Sequence, residues 1–346
     1  MIRVAVAGAG LIGRERIQAV RQLAAEKLPI QLVGVCESDT ALAPKIAQET
    51  STTVVPRFED LLRLDPDWVI VALPHDAAVG ATLAALEHGC SVLLEKPLGR
   101  DLDEARQLYT AARGRLHVGF NYRYFSGIRR AIQDARSGLF GDLIAVDLLL
   151  GHGCHPNQEK TWKLDPIRAG GGCLIDPGVH LLDLCVLLAG SEIEVAGGTS
   201  WSGFWRTGIE EDVQLVLRGR GGVSISLQVS IVRWRSTFQM SIHGAEGYGV
   251  VTGRNRSYGT QQYRTGLRWG WKSGVSQAES EKLAVESDGL DVFLDETRAL
   301  LIPGAEPTGW PGPATAKEAL DVMELLDRIR DRIGLPRQVN QLQETT

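Results

Sequence analysis

Cysteine is sparse in this chain, and the few that occur form no pattern. Five are present (Cys36, Cys90, Cys154, Cys173 and Cys185), an odd number without any Cys-x-x-Cys pair. Scattered thiols suit a reducing cytoplasm, and a cytoplasmic protein is expected. Basic residues are not in excess: 37 Lys and Arg face 42 Asp and Glu, for a net charge of −5. That balance, with a pI near 5.9, argues against nucleic acid or an anionic membrane as the main partner. No apolar run reaches the length that crosses a bilayer. Ile2 to Ala7 runs straight into a glycine-rich turn, so no signal-peptide cleavage region is expected there. Internal repeats and low-complexity tracts are also missing. What remains is a globular composition, 44% hydrophobic and 23% charged. At 346 residues the chain exceeds one typical core, so two domains are expected.

The strand Ile2–Ala7 leads directly into Gly8-Ala9-Gly10-Leu11-Ile12-Gly13 and a helix running to about Lys27. This is the G-x-G-x-x-G fingerprint of a dinucleotide site. Its glycines allow a tight turn, close approach to a pyrophosphate, and close helix–strand packing. The helix N-terminus adds partial positive charge for the phosphates. Context raises the signal above a bare glycine pattern. The next strand, Ile30–Cys36, ends in Glu37, where an acidic residue binds ribose hydroxyls. A carboxylate there favours NAD over NADP; Ser38 beside it leaves that choice open, and a solvated loop acid is the alternative for Glu37.

Strands and helices then alternate, which reads as a doubly wound α/β sheet. The strand Asp67–Ala72 ends in Leu73-Pro74-His75. His75 either faces the nicotinamide half of the cofactor or is a turn residue. The apolar run Val92-Leu93-Leu94 stops abruptly at Glu95-Lys96-Pro97. In parallel sheets ligands bind beyond the carboxyl ends of strands, where Lys96 would sit. Taken alone, this lysine is more simply a surface residue. The cluster Phe120-Asn121-Tyr122-Arg123 follows and is expected to join the same crevice.

The pattern changes after the helix around Phe125–Arg136. Strands are expected near Leu143–Leu150, Glu192–Trp201, Asp212–Leu217, Val223–Ile231, Thr237–His243 and Tyr248–Thr252. Short glycine-rich turns between them indicate a large, mostly antiparallel open sheet. One face needs cover and the other a partner subunit. The segment Arg254–Ser280 resists assignment and is either a mobile loop or an oligomer contact. Helices at about Asp288–Leu301 and Thr315–Arg332 flank a proline-rich loop, Pro303–Pro313. The boundaries expected are 1–122 for a Rossmann domain, 123–335 for an α+β domain, and 336–346 for a flexible tail.

Chemistry concentrates between the first two strands of the second domain. Gly170-Gly171-Gly172 leads to Asp176-Pro177-Gly178-Val179-His180. Asp176 is a natural N-cap and Pro177 a natural first helical residue. That would put Asp176 and His180 on one face of a first turn, with Asp183 one turn on. A capping Asp and a satisfied core His are the plain readings. An Asp, a His and a strand-end lysine in a nicotinamide-binding chain are nonetheless the groups needed to deprotonate a carbinol as hydride departs. The loop Gly151–Asn157 precedes Trp162 and borders the same crevice. His152, Cys154 and His155 lack a carboxylate to complete a metal site, and no metal is expected. Hydrogen bonding to substrate by His155 and Lys163 is the reading, with an ordinary surface loop as the alternative.

Three motifs in order resemble the glucose–fructose oxidoreductase / inositol dehydrogenase (GFO/IDH/MocA) family. They are the N-terminal G-x-G-x-x-G, the Glu95-Lys96-Pro97 triplet, and G-G-x-x-x-D-x-G-x-H from Gly171 to His180. The region after about Thr252 adds little to the likeness. The resemblance implies a Rossmann domain followed by an α/β domain whose open sheet joins subunits into a homodimer or homotetramer. It implies NAD or NADP and a small sugar, sugar-derivative or cyclitol substrate. It implies that Lys96 contacts the reacting hydroxyl and the cofactor ribose, that His180 is the general base in oxidation, and that Asp176 orients it. Leu73, Pro74, His75, Glu95 and Pro97 would flank the cofactor, and the bond before Pro97 would often be cis. Arg123 would reach cofactor or substrate, with Tyr122 and Trp162 among the substrate contacts. The chain departs from the family at Ala77 and Ala78, where members often carry a second histidine. The activity implied is NAD(P)-dependent hydride transfer to or from a secondary alcohol carbon. The alternatives are a biosynthetic keto-sugar reductase and a non-catalytic sensor of NAD(P) or sugar.

Overall fold

The structure is a computed structural model describing residues 1–336 except 290, 303, 305–309 and 311. The chain divides into two compact units, residues 1–121 with 291–323, and residues 122–290 with 324 onward. Each is built from two stretches of sequence. All but the first residue of the expected tail 336–346, and much of the loop 303–313, lie outside the described residues.

The first unit starts with β1 (Ile2–Ala7), α1 (Leu11–Ala25), β2 (Ile30–Cys36), α2 (Ala43–Thr50), β3 (Thr53–Val55) and α3 (Phe58–Leu62). It continues through β4 (Trp68–Val71), α4 (His75–Glu87), β5 (Ser91–Glu95), α5 (Leu102–Ala112) and β6 (Leu116–Gly119). Strands β1 to β6 are parallel in the order β3-β2-β1-β4-β5-β6. This is the doubly wound Rossmann order, and it reverses direction between β1 and β4. Val4–Ala7, Val69–Val71 and Val92–Leu94 are almost wholly buried. Helices cover both faces of such a sheet, so its central strands read as continuous apolar runs. Each buried Val or Leu contributes roughly 1.5–3 kcal/mol by leaving water.

The second unit holds α6 (Ser126–Arg136), β7 (Leu143–Gly151), α7 (Pro166–Ala169), α8 (Val179–Ala189), β8 (Glu194–Trp201), β9 (Asp212–Arg218) and β10 (Ser224–Ser230). Then come β11 (Thr237–Gly244), β12 (Gly247–Thr252), β13 (Gln261–Leu267), α9 (Gln277–Ser280) and β14 (Lys282–Ser287). Eight strands form one sheet in the order β14-β13-β12-β11-β7-β10-β9-β8. Every neighbouring pair is antiparallel except β7 and β10, which run parallel. Along β9, Val213, Leu215 and Leu217 are buried while Gln214, Val216 and Arg218 are exposed. That period-2 alternation marks a sheet packed on one side only. The segment left unassigned from sequence contains a full strand, β13, hydrogen-bonded between β12 and β14.

The chain finishes with α10 (Val292–Leu301), β15 (Ala314–Thr315) and α11 (Ala316–Ile333). Strand β15 adds antiparallel to β6 at the edge of the first sheet. Helix α10 packs on α1 within the first unit. The helix expected from Asp288 therefore begins four residues later.

Candidate active site

The turn after β1 is compact because its glycines leave no room. A Cβ on Gly13 would lie 1.9 Å from the Gly8 carbonyl oxygen, so only glycine lets α1 start there. A Cβ on Gly10, by contrast, would meet nothing within 4 Å. Gly10 is the N-cap of α1, without a side-chain cap and with no acidic residue in the first turn. The first amides of this fifteen-residue helix thus carry the positive end of its dipole without a capping side chain. This cradle fits a pyrophosphate. Leu11, Ile12 and Gly13 open that helix, with Leu11 71% exposed. Glu37 sits at the end of β2, where its carboxylate accepts the Ala9 amide at 3.0 Å and the Asp39 amide at 2.9 Å. Two backbone donors fix its position beside the glycine turn. Ser38 is its exposed neighbour.

The remaining sites of the first unit lie at strand ends, as expected for a parallel sheet. Leu73 and Pro74 are half-buried after β4, and His75 is buried as the first residue of α4. Lys96 follows β5 and is half-buried, and the Lys96–Pro97 bond is cis. Glu95 has a different employment from the cofactor contact expected of it. Its carboxylate accepts Nε of the wholly buried Arg16 at 2.7 Å, and the same guanidinium pairs with buried Glu296 of α10. Both carboxylates hold the Arg16 guanidinium in its cationic form and push its pKa up against the opposing effect of burial.

In the second unit the organising element is α8, which is apolar nearly all round and buried accordingly. Two of its polar residues need compensation. Asp183, fully buried, is clamped by Arg123, whose Nε and Nη2 donate to the two carboxylate oxygens at 2.8 and 2.5 Å. An unpaired carboxylate there would cost several kcal/mol. Arg123, expected at the cofactor or substrate, is instead wholly buried in this pair. His180, 5% exposed, stacks on Tyr122 with centroids 4.0 Å apart and an interplanar angle of 5°. Burial pushes the Tyr122 phenol well above its ordinary pKa.

The approach to α8 is a correction to the sequence reading. The helix begins at Val179 with Gly178 at the cap, and the Asp176–Pro177 bond is cis. Asp176 therefore lies two residues before the cap rather than at it. Its Oδ2 accepts Nζ of Lys163 at 2.9 Å, and this carboxylate raises the Lys163 pKa. The glycine run before it is held by Glu210, a buried carboxylate accepting the Gly172 and Leu174 amides at 3.0 and 3.1 Å. A Cβ on Gly172 would lie 2.0 Å from the Glu210 carbonyl oxygen, which explains the glycine. Trp162 lies beside Lys163, whose Nζ is 5.6 Å from the indole centroid. In the preceding loop His155 is exposed, while His152 Nδ1 accepts the Cys154 amide at 3.1 Å. Burial lowers the His152 pKa to about 4 and raises the Cys154 thiol to about 11.

Residues 2–120 match the family model described as the oxidoreductase family with an NAD-binding Rossmann fold, and residues 128–249 match the GFO/IDH/MocA C-terminal domain. The chain belongs to the GFO/IDH/MocA family. It is accordingly an NAD(P)-dependent oxidoreductase acting on CH–OH groups. The 1,5-anhydro-D-fructose reductase of Ensifer adhaerens is 30% identical over 262 residues, covering 74% of this chain and 76% of the relative. The D-glucoside 3-dehydrogenase of Escherichia coli (strain K12) is also 30% identical, over 203 residues that make up 55% of this chain and 54% of that one. A levoglucosan dehydrogenase solved with NADH and levoglucosan shares the fold, with TM-score 0.80, 18% identity, and coverage of 96% of this chain and 97% of that one.

Within this GFO/IDH/MocA chain, sequence reasoning missed Arg254. Its guanidinium lies over the rings of Tyr258, Tyr122 and Phe125 at 4.2, 4.7 and 5.5 Å. The only signal was an arginine between two turns in the unassigned segment. Arg16 was missed for a similar reason, since its partner Glu296 is 280 residues away.

Proposed function

We propose that the protein interconverts a secondary alcohol and a ketone on a sugar, sugar derivative or cyclitol, with Lys96, Asp176 and His180 as its catalytic groups. The His180–Tyr122 stack carries this reading: a buried imidazole with a fixed ring plane sits one helical start beyond an Asp–Lys pair. The names of the relatives, a glucoside dehydrogenase and an anhydrofructose reductase, support the substrate class. Bound nicotinamide supplies the acceptor or donor of the hydride.

The chain's own groups do the rest. His180 takes the hydroxyl proton in oxidation and returns it in reduction. The Lys96 ammonium stabilises negative charge developing on the reacting oxygen. Asp176, held by Lys163, orients the substrate hydroxyl and His180. Gly8, Gly10, Leu11, Ile12 and Gly13 hold the pyrophosphate, and Glu37 the adenosine ribose. Its fixed carboxylate repels a 2′-phosphate, so NAD is the preferred cofactor. Residues 1–121 with 291–323 serve as the cofactor unit, so the expected boundary at 122/123 gains a returning C-terminal stretch, and residues 122–290 with 324 onward serve as the substrate and assembly unit. The open face of the second sheet joins copies into a homodimer or homotetramer. Five free thiols support a reducing cytoplasm as its location.

The test is formation of reduced nicotinamide with a panel of sugars and cyclitols, using NAD and NADP in parallel. His180→Ala and Lys96→Ala should each lower kcat/KM at least about a hundredfold. Near-native turnover in His180→Ala would remove the histidine from proton transfer.

A further inference from the structure

Among the charged groups near His180, Arg254 is set apart by its partners. Lys163 and Asp176 neutralise one another at 2.9 Å. Asp183 is clamped by Arg123, and further carboxylates are engaged by backbone amides. Glu211 accepts those of Gly203, Phe204 and Trp205, and Asp165 those of Ile167 and Arg168. His152, with its pKa near 4, and the Cys154 thiol, near 11, are neutral at pH 7. Arg254 stands apart from all of these. Among the described residues no carboxylate pairs with it, and its buried Nε has no acceptor.

Three aromatic rings fix the guanidinium in place without accepting any of its five N–H donors in the plane. A planar cation so positioned suits fork-like recognition of carboxylate or phosphate. Its location suits a substrate group. Tyr122 carries His180 on one face at 4.0 Å, which leaves the other face to Arg254. The cation and the proposed base thus flank one ring, 4.7 and 4.0 Å from its centroid, within reach of different groups of one sugar-sized substrate. The turn after β10 adds Arg233 and Arg235. The Arg233 amide donates to the His152 carbonyl at 3.2 Å, so more positive charge abuts the same loop.

We propose that the substrate is an anionic sugar, bearing a carboxylate or a phosphate, and that Arg254 holds this anion while the reacting carbinol lies at His180. The proposal rests on the sugar oxidoreductase reading and narrows its substrate class. A neutral sugar leaves the guanidinium donors to water; an anion satisfies them.

Initial rates with NAD on a matched panel test this. Glucose and methyl glucoside are the neutral arm; glucuronate, glucose 6-phosphate and UDP-glucose carry a carboxylate, a monophosphate and a diphosphate. At least one anionic sugar should exceed the neutral ones in kcat/KM by about tenfold or more, and the winning arm identifies the anion. Arg254→Met should bring that anionic-to-neutral ratio close to one, and Arg254→Lys should retain part of it. Turnover of neutral sugars as fast as or faster than every anionic one in the native protein would overturn the proposal while leaving the sugar reading intact. So would a preference that survives in Arg254→Met, or in Arg254→Gln should the former not fold. No turnover of either arm would overturn both.

Discussion

His152 shows how one side chain links burial to pH. Its Nδ1 accepts the Cys154 amide, and its pKa is lowered to about 4, mainly by burial. In the unfolded chain a histidine takes up its proton near pH 6.5. Between about 4 and 6.5 the unfolded state therefore binds more protons, so stability rises with pH across that window and is lost on acidification. Urea midpoints measured through this range should fall toward acid, and His152→Gln should flatten the slope. An unaltered slope in the variant would assign the acid sensitivity elsewhere. The same scale shows how much residue identity alone could convey. The glycine turn at Gly8, Gly10 and Gly13 and the strand-end position of Glu37 were legible because their spacing is local. Arg123 was misleading, because an arginine near a ligand motif reads the same whether it meets a ligand or a buried Asp183.

At the scale of elements, Arg16 ties α1 to β5 and α10 inside the first unit. It is fully buried, and two carboxylates converge on it. Arg16→Met would leave Glu95 and Glu296 uncompensated, and a loss of about 3–5 kcal/mol is expected. Urea unfolding checks this, with Arg16→Met, Glu296→Gln giving a smaller loss than Arg16→Met alone. Equal losses in the two variants would show that carboxylate repulsion is not the cause. Most elements were visible in the sequence, since apolar runs and period-2 alternation are local signals. The start of α8 was not. Asp-Pro favours a cap in isolation, but Asp176 has a stronger partner in Lys163, thirteen residues earlier. Strand β13 was hidden because its strand character comes from pairing with β12 and β14 rather than from apolar content.

For the whole molecule, the exposed face of the eight-stranded sheet sets the expected assembly. Val216, on β9 one strand from the edge, is 55% exposed on that face, among Gln214, Ser226 and Gln228. Sedimentation of the native protein should give a dimer or tetramer, and Val216→Arg should shift it toward monomer with its circular dichroism unchanged. A monomeric native protein would sink the assembly proposal. Sequence by itself determined the two-part architecture, the glycine turn after β1 and the family motifs. Each of these depends on neighbours in the chain or on an ordered set of motifs. Tertiary structure alone decided which charges are paired. Arg16 found Glu296, Arg123 found Asp183, Asp176 found Lys163, and Arg254 found three aromatic rings. Ion pairing depends on distance in space, and sequence separation carries almost no information about it.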